Sequence, residues 1–70
     1  MRGQKRDSLR EARKAKGLTQ LELAQLVGVT LEHIKSLEYG RVNPSTQLMF
    51  KICNALGSTP QNLFADVVCA

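Results

Sequence analysis

Apolar residues recur at helical spacing along most of the chain. Met49, Ile52, Cys53 and Leu56 fall at i, i+3, i+4 and i+7, which is one stripe of an α-helix. Leu23, Ala24 and Val27 make a shorter stripe, Ile34 and Leu37 another, and Leu63, Phe64 and Val67 the last. No stretch alternates apolar and polar with period two, so the pattern predicts helices and no sheet.

Hydroxyl residues and glycines punctuate these stripes. Asp7 or Ser8 suits the N-cap of a first helix that ends at Lys16, with Gly17 just beyond it. Thr19 caps a second helix, with Glu22 three residues on completing a capping box, and this helix stops at Gly28. Thr30 caps a third, which runs to Tyr39 and stops at Gly40. RVNPS then reads as a loop. Ser45 caps a fourth helix ending at Gly57, and Thr59 with Pro60 at the first helical position opens a short fifth. Residues 1–6 read as a polar basic arm that frays, 7–66 as the folded domain, and 67–70 as a short apolar tail.

Seventy residues make one domain, and a chain this short buries only about 60% of its unfolded surface, so its core is marginal. An apolar content of 43% is enough for a folded chain rather than a disordered one. The net charge is +4, unevenly spread: seven of the ten basic residues lie in the first sixteen positions, and none lies beyond Lys51. A basic end fits a nucleic acid or an anionic membrane surface, and also a merely solvated face. Cys53 lies on an apolar stripe and reads as a small core hydrophobe. Cys53, Cys69 and the single His33 are too widely spaced for a zinc site. No secretory apolar region follows the basic start and no run is long enough to span a bilayer, which gives an expectation of a cytoplasmic protein without membrane contact. No paired nucleophile and base stand at motif spacing, so no enzymatic activity, cofactor or small-molecule site is expected.

The second and third helices carry the functional signal. They are joined through little more than Gly28 and Val29, so they must cross steeply. Ala24 keeps their contact small, Gly28 supplies the left-handed backbone of the turn, and Val29, Ile34 and Leu37 fill the space beneath. This is helix-turn-helix geometry, spanning residues 20–39.

With LREARKAKGLTQLELAQLVGVT, HIKSLEYGRVNPS, KICNALGS and LF in sequence, the chain resembles the Cro and phage-repressor type (XRE-like) helix-turn-helix DNA-binding family from about Leu9 to Phe64. The resemblance implies an all-α, five-helix lambda-repressor-like domain whose third helix enters the major groove. By analogy, Thr30, Leu31, Glu32, His33, Lys35 and Ser36 read bases. Arg10, Thr19, Gln20, Arg41, Asn43 and Ser45 contact phosphates. In this family the Glu38 position pairs with a base of the first helix, here Arg13, which makes that pair structural. Glu32, in the first turn of the third helix, suits the helix dipole and could also accept a hydrogen bond from cytosine N4.

The function implied is a sequence-specific regulator of transcription on double-stranded DNA, in the repressor mould. It would bind a near-palindromic operator as a homodimer joined through Leu63, Phe64, Val67 and Val68. The chain departs from the family pattern at Leu31, where many relatives carry Arg, and at Leu21 and Leu26, which are usually polar. Those leucines keep open an alternative, a protein-interaction module such as an antitoxin-type partner-binding protein.

Overall fold

From the second helix to the fifth, each helix begins where a hydroxyl oxygen accepts an otherwise unpartnered N–H of the first turn. Thr19 Oγ1 accepts from Glu22 N at 3.1 Å, Thr30 Oγ1 from His33 N at 3.1 Å, Ser45 Oγ from Leu48 N at 3.1 Å and Thr59 Oγ1 from Asn62 N at 3.3 Å. Glu22 Oε1 in turn accepts the Thr19 N–H at 2.8 Å, closing the capping box. The computed structural model describes residues 5–68, and these form α1 (Asp7–Ala15), α2 (Gln20–Val27), α3 (Leu31–Glu38), α4 (Thr46–Leu56), α5 (Pro60–Leu63) and α6 (Ala65–Val68). The described residues contain no strand.

Two expected boundaries are corrected. The first helix has no side-chain cap: Arg6 is its N-cap residue, and Asp7 is already helical. The stretch ADVV, read as the end of the domain and the start of an apolar tail with no helix assigned, forms the single turn of α6, held by a bond from Val67 N–H to Phe64 O at 2.9 Å.

Two glycines have backbone conformations that matter for function. Gly28 takes φ 77° at the end of α2, and the chain re-enters a helix only three residues later, which sets the steep α2–α3 crossing. Gly40, at φ 75°, closes α3. Its N–H donates to Leu37 O at 3.2 Å, and the Arg41 N–H donates to Ser36 O at 2.9 Å. This paired Schellman closure fixes where the chain leaves α3.

The core is built from every helix of substantial length. Leu9, Leu23, Ile34, Leu37, Ile52 and Phe64 are fully buried, joined by Ala24, Val27, Leu48, Met49, Cys53, Leu56 and Leu63. Burial raises the Cys53 thiol above its ordinary pKa, so it stays protonated at neutral pH and is a poor nucleophile. The proposed dimer patch is corrected here. Leu63 is 3% exposed and Phe64 0%, because α5 packs on α1 and α4 and its side chains complete this small core. Neither can also cover a second chain. Val67 is half-buried against the same core, and the Val68 side chain lies outside what the structure describes.

Two buried arginines tie the helices together. Arg13 Nε donates to Glu38 Oε2 at 2.6 Å and Arg13 Nη1 to Leu18 O at 2.7 Å. Gln20 Nε2 donates to the other carboxylate oxygen of Glu38 at 3.0 Å. One buried carboxylate thus joins α1, α2 and α3. The second is Arg6. The sequence reading puts it in a frayed arm, yet it is only 5% exposed. Its N–H donates to Glu38 O at 2.8 Å. Its guanidinium donates to Leu37 O at 2.6 Å, Val42 O at 2.9 Å and Asn43 Oδ1 at 2.8 Å, and it grips both oxygens of Asp66 at 2.9 and 3.1 Å. It also lies over the Phe64 ring, 5.5 Å from the centroid. Arg6 therefore caps the last carbonyls of α3 and staples them to the following loop and to α6.

Two stability predictions follow from these pairs. Breaking a buried ion pair from one side costs about 3–5 kcal/mol, so Glu38→Ala should lower Tm by at least about 12 °C in a domain this size. Arg13→Ala should do the same, and the double variant should show clear non-additivity in a thermal-denaturation cycle. Arg6→Ala strands buried carbonyl acceptors and should cost about 2–3 kcal/mol. Asp66→Ala should cost no more than about 1 kcal/mol, because that carboxylate is half in water. Equal losses for Arg6→Ala and Asp66→Ala would show that the carbonyl caps contribute little.

Candidate nucleic-acid interface

The geometry of α3 decides which of its side chains can meet a ligand. Ile34, Leu37 and Glu38 point into the body. Glu32, Lys35, Ser36 and Tyr39 fall at i, i+3, i+4 and i+7 and so lie on the opposite face. Glu32 is largely exposed, Tyr39 is exposed, and Lys35 and Ser36 are half-buried. Lys35 Nζ approaches Glu32 Oε2 at only 3.8 Å, a loose surface pair that leaves the carboxylate available. Leu31 and His33, on the flanks of this face, are half-buried. Thr30 accepts the His33 N–H as the cap and keeps its own hydroxyl hydrogen to donate.

Two clefts meet α3, one at Glu38 and Tyr39 and the other at His33. One is lined by Lys5, Asp7, Arg10, Gln20, Glu38 and Tyr39. The other is lined by residues of the α2–α3 turn with His33, Asn43, Ser45, Gln47 and Lys51. The candidate phosphate contacts are thereby divided. Arg10 and Gln20 stand on one side, Asn43 and Ser45 on the other. Arg41 lies just past the C-terminal end of α3, its guanidinium 5.3 Å from the Tyr39 ring centroid.

Several of these groups have a structural bond and a spare one. Gln20 gives one amide hydrogen to Glu38 and retains another. Asn43 uses its oxygen to accept from Arg6, leaving its NH2 to donate. Thr19 and Ser45 accept first-turn N–H groups through their oxygens, and each hydroxyl hydrogen is still a donor. Arg10 is exposed. Arg13 and Glu38 are 7% and 6% exposed and are engaged with each other, so they orient α3 rather than touch a ligand.

Sequence reasoning missed three residues at this site. Tyr39 was detectable: it stands seven positions after Glu32, on the same face. Lys5 and Arg6 were not, since they precede the first apolar stripe and have no periodic partner. Among the described residues no group of His, Cys, Asp and Glu converges to hold a metal.

A stripe of polar side chains on a rigidly seated helix, flanked by two lines of donors, matches what a major groove presents: base edges between two phosphate backbones. Comparisons with known proteins identify the family. The chain matches the helix-turn-helix family over residues 9–63. An HTH-type transcriptional regulator of Methanothermobacter thermautotrophicus is 54% identical over 52 residues, covering 74% of this chain and 75% of the relative. One from Archaeoglobus fulgidus is 44% identical over 59 residues, covering 84% of each. Among solved structures, the restriction-modification controller protein C.AhdI from Aeromonas hydrophila superposes with a TM-score of 0.74 at 40% identity, over 83% of this chain and 88% of that one. The clp gene regulator ClgR from Corynebacterium glutamicum gives 0.74 at 34% identity, over 84% and 63%. The chain belongs to the Cro/C1-type helix-turn-helix family of DNA-binding transcriptional regulators.

Proposed function

We propose that this protein acts as a repressor that occupies a near-palindromic operator as a symmetric pair of chains, each placing α3 in the major groove. The observation that carries this reading is the exposed stripe of α3 lying between two clefts of unequal chemistry. Glu32, Lys35, Ser36 and the flanking Thr30, Leu31 and His33 supply base readout. Arg10, Thr19, Gln20, Arg41, Asn43 and Ser45 supply phosphate contacts through their remaining donors. Leu31 offers no hydrogen bond and reads a thymine methyl.

Pairing follows from recognition arithmetic. One helix of eight residues meets too few base pairs for useful specificity, and two-fold related helices one turn of DNA apart, about 34 Å, double the site. The contact between chains uses a surface other than Leu63 and Phe64, which belong to the core. The proposed place of action is the cytoplasm, where the operator DNA lies. Among the described residues, no helix is long and apolar enough to cross a membrane. Leu21 and Leu26 are 50% and 63% exposed, which supports a second reading, a docking surface for another protein.

Salt titration against duplex DNA separates the two. About four to six phosphate contacts per chain should give a slope of log K against log salt of about −4 or steeper. Sites selected from random DNA should show dyad symmetry with half-sites one turn apart. A slope near zero would leave the protein-partner reading. Within the DNA reading, Glu32→Gln should change the preferred base at one operator position, at a cost of about 1–3 kcal/mol, while Gln20→Ala should weaken binding to all sequences alike. An unchanged selected site for Glu32→Gln would restrict Glu32 to favouring the helix dipole.

A further inference from the structure

Tyr39 stands at the C-terminal end of the exposed face of α3, with two cations on its ring. Lys5 Nζ lies 5.3 Å from the ring centroid and the Arg41 guanidinium also 5.3 Å. Both cations are exposed, and among the described residues neither forms an ion pair. An aromatic face attracts a cation through its quadrupole without neutralising it. The ring therefore holds each cation near it and neutralises neither.

The positions of both cations are fixed from behind. Lys5 precedes Arg6, whose N–H is bonded to Glu38 O and whose guanidinium is locked into the loop and α6. Arg41 is held by its N–H on Ser36 O, the outer bond of the Schellman closure. The ring thus bridges two anchored points of backbone on either side of the α3 exit. Lys5 and Tyr39 also line the cleft that holds Arg10 and Gln20. Two carboxylates share that cleft. Glu38 is engaged by Arg13 and Gln20, and Asp7 has no ion pair among the described residues. Asp7 is exposed and disfavours an anion beside it.

We propose that Lys5, Tyr39 and Arg41 form a clamp for a DNA backbone phosphate beside the C-terminal end of α3, in which Tyr39 is the positioning residue and the two cations make the contact. The clamp rests on the DNA-binding reading above. It adds Lys5 to the phosphate-contacting set and gives Tyr39, on the readout face but beyond the bases, a role that is independent of sequence. Its effect is to set how far α3 slides along its own axis in the groove.

The test is a salt titration of affinity, read by fluorescence anisotropy, on a selected operator duplex and on an unrelated duplex. Lys5→Ala should reduce the magnitude of the slope by about one on both duplexes. Tyr39→Leu keeps an apolar side chain at a half-exposed position and should leave the helical circular dichroism and melting curve intact. It should weaken binding to both duplexes about tenfold and reduce the slope by between one and two. Tyr39→Phe keeps the ring and should behave as the unmodified protein. Adding Tyr39→Leu to a Lys5→Ala, Arg41→Ala background should cause no further loss. Unchanged affinity and slope for Tyr39→Leu, on a background where the unmodified protein has a steep slope, overturn the clamp alone. So does a Tyr39→Phe variant as weak as Tyr39→Leu, since then the hydroxyl and not the ring carries the effect. A flat slope for the unmodified protein overturns the DNA-binding reading and takes the clamp with it.

Discussion

The carboxylate of Glu38 is the group on which the placement of α3 depends. It sits almost out of water and receives donors from Arg13 on α1 and Gln20 on α2, while its own helix is α3. A buried charge with its partners removed is strongly unfavourable, yet the complete network gains little over a well-packed apolar substitute. Its contribution is therefore directional. Apolar packing of Ile34 and Leu37 would tolerate α3 rotating or sliding by part of a turn, whereas the three N–H groups of Arg13 Nε, Arg13 Nη2 and Gln20 Nε2, aimed at two oxygens, tolerate far less. The exposed face is pointed outward because its opposite face is fixed by hydrogen bonds.

Smallness explains much of the rest. Each of the six helices is short, and four have eight or more residues. None would hold its shape alone, so termini are controlled by capping and the interior must use nearly every large apolar side chain it has. Phe64 and Leu63 illustrate the constraint. In a longer chain they could face a neighbour, but here their removal would open the core between α1, α4 and α5.

The helices were largely readable from the sequence because their signals are local. The Thr19–Glu22 capping box, the hydroxyls of Thr30, Ser45 and Thr59, and the 3–4 spacing of Met49, Ile52, Cys53 and Leu56 each act within a turn or two of the backbone. Errors arose where partners are distant in sequence. Arg6 looks like any basic residue of a polar leader, and nothing in its neighbourhood indicates that Leu37, Val42, Asn43 and Asp66 will converge on it. The apolar residues near the end of the chain showed a stripe without showing what it faces, so Phe64 was read outward when it turns inward. Within the site, the α3 face was legible from periodicity. The division of the polar donors between two clefts was not, because it depends on how α1 and the loop before α4 pack beside α3.

The grip of Arg6 on Asp66 joins positions 60 residues apart. Closing so long a span carries the entropy of ordering most of the polypeptide between them, and contacts of this range slow the search for the native state. During synthesis the ribosome delivers Arg6 early and Asp66 nearly the whole folded body later. Arg6 can meet Leu37, Glu38, Val42 and Asn43 once α3 and its exit have emerged, whereas Asp66 follows only after α5. The last of the bonds at the α3 exit therefore closes only once α6 has formed, after the carbonyls of Leu37, Glu38 and Val42 are already within reach of Arg6.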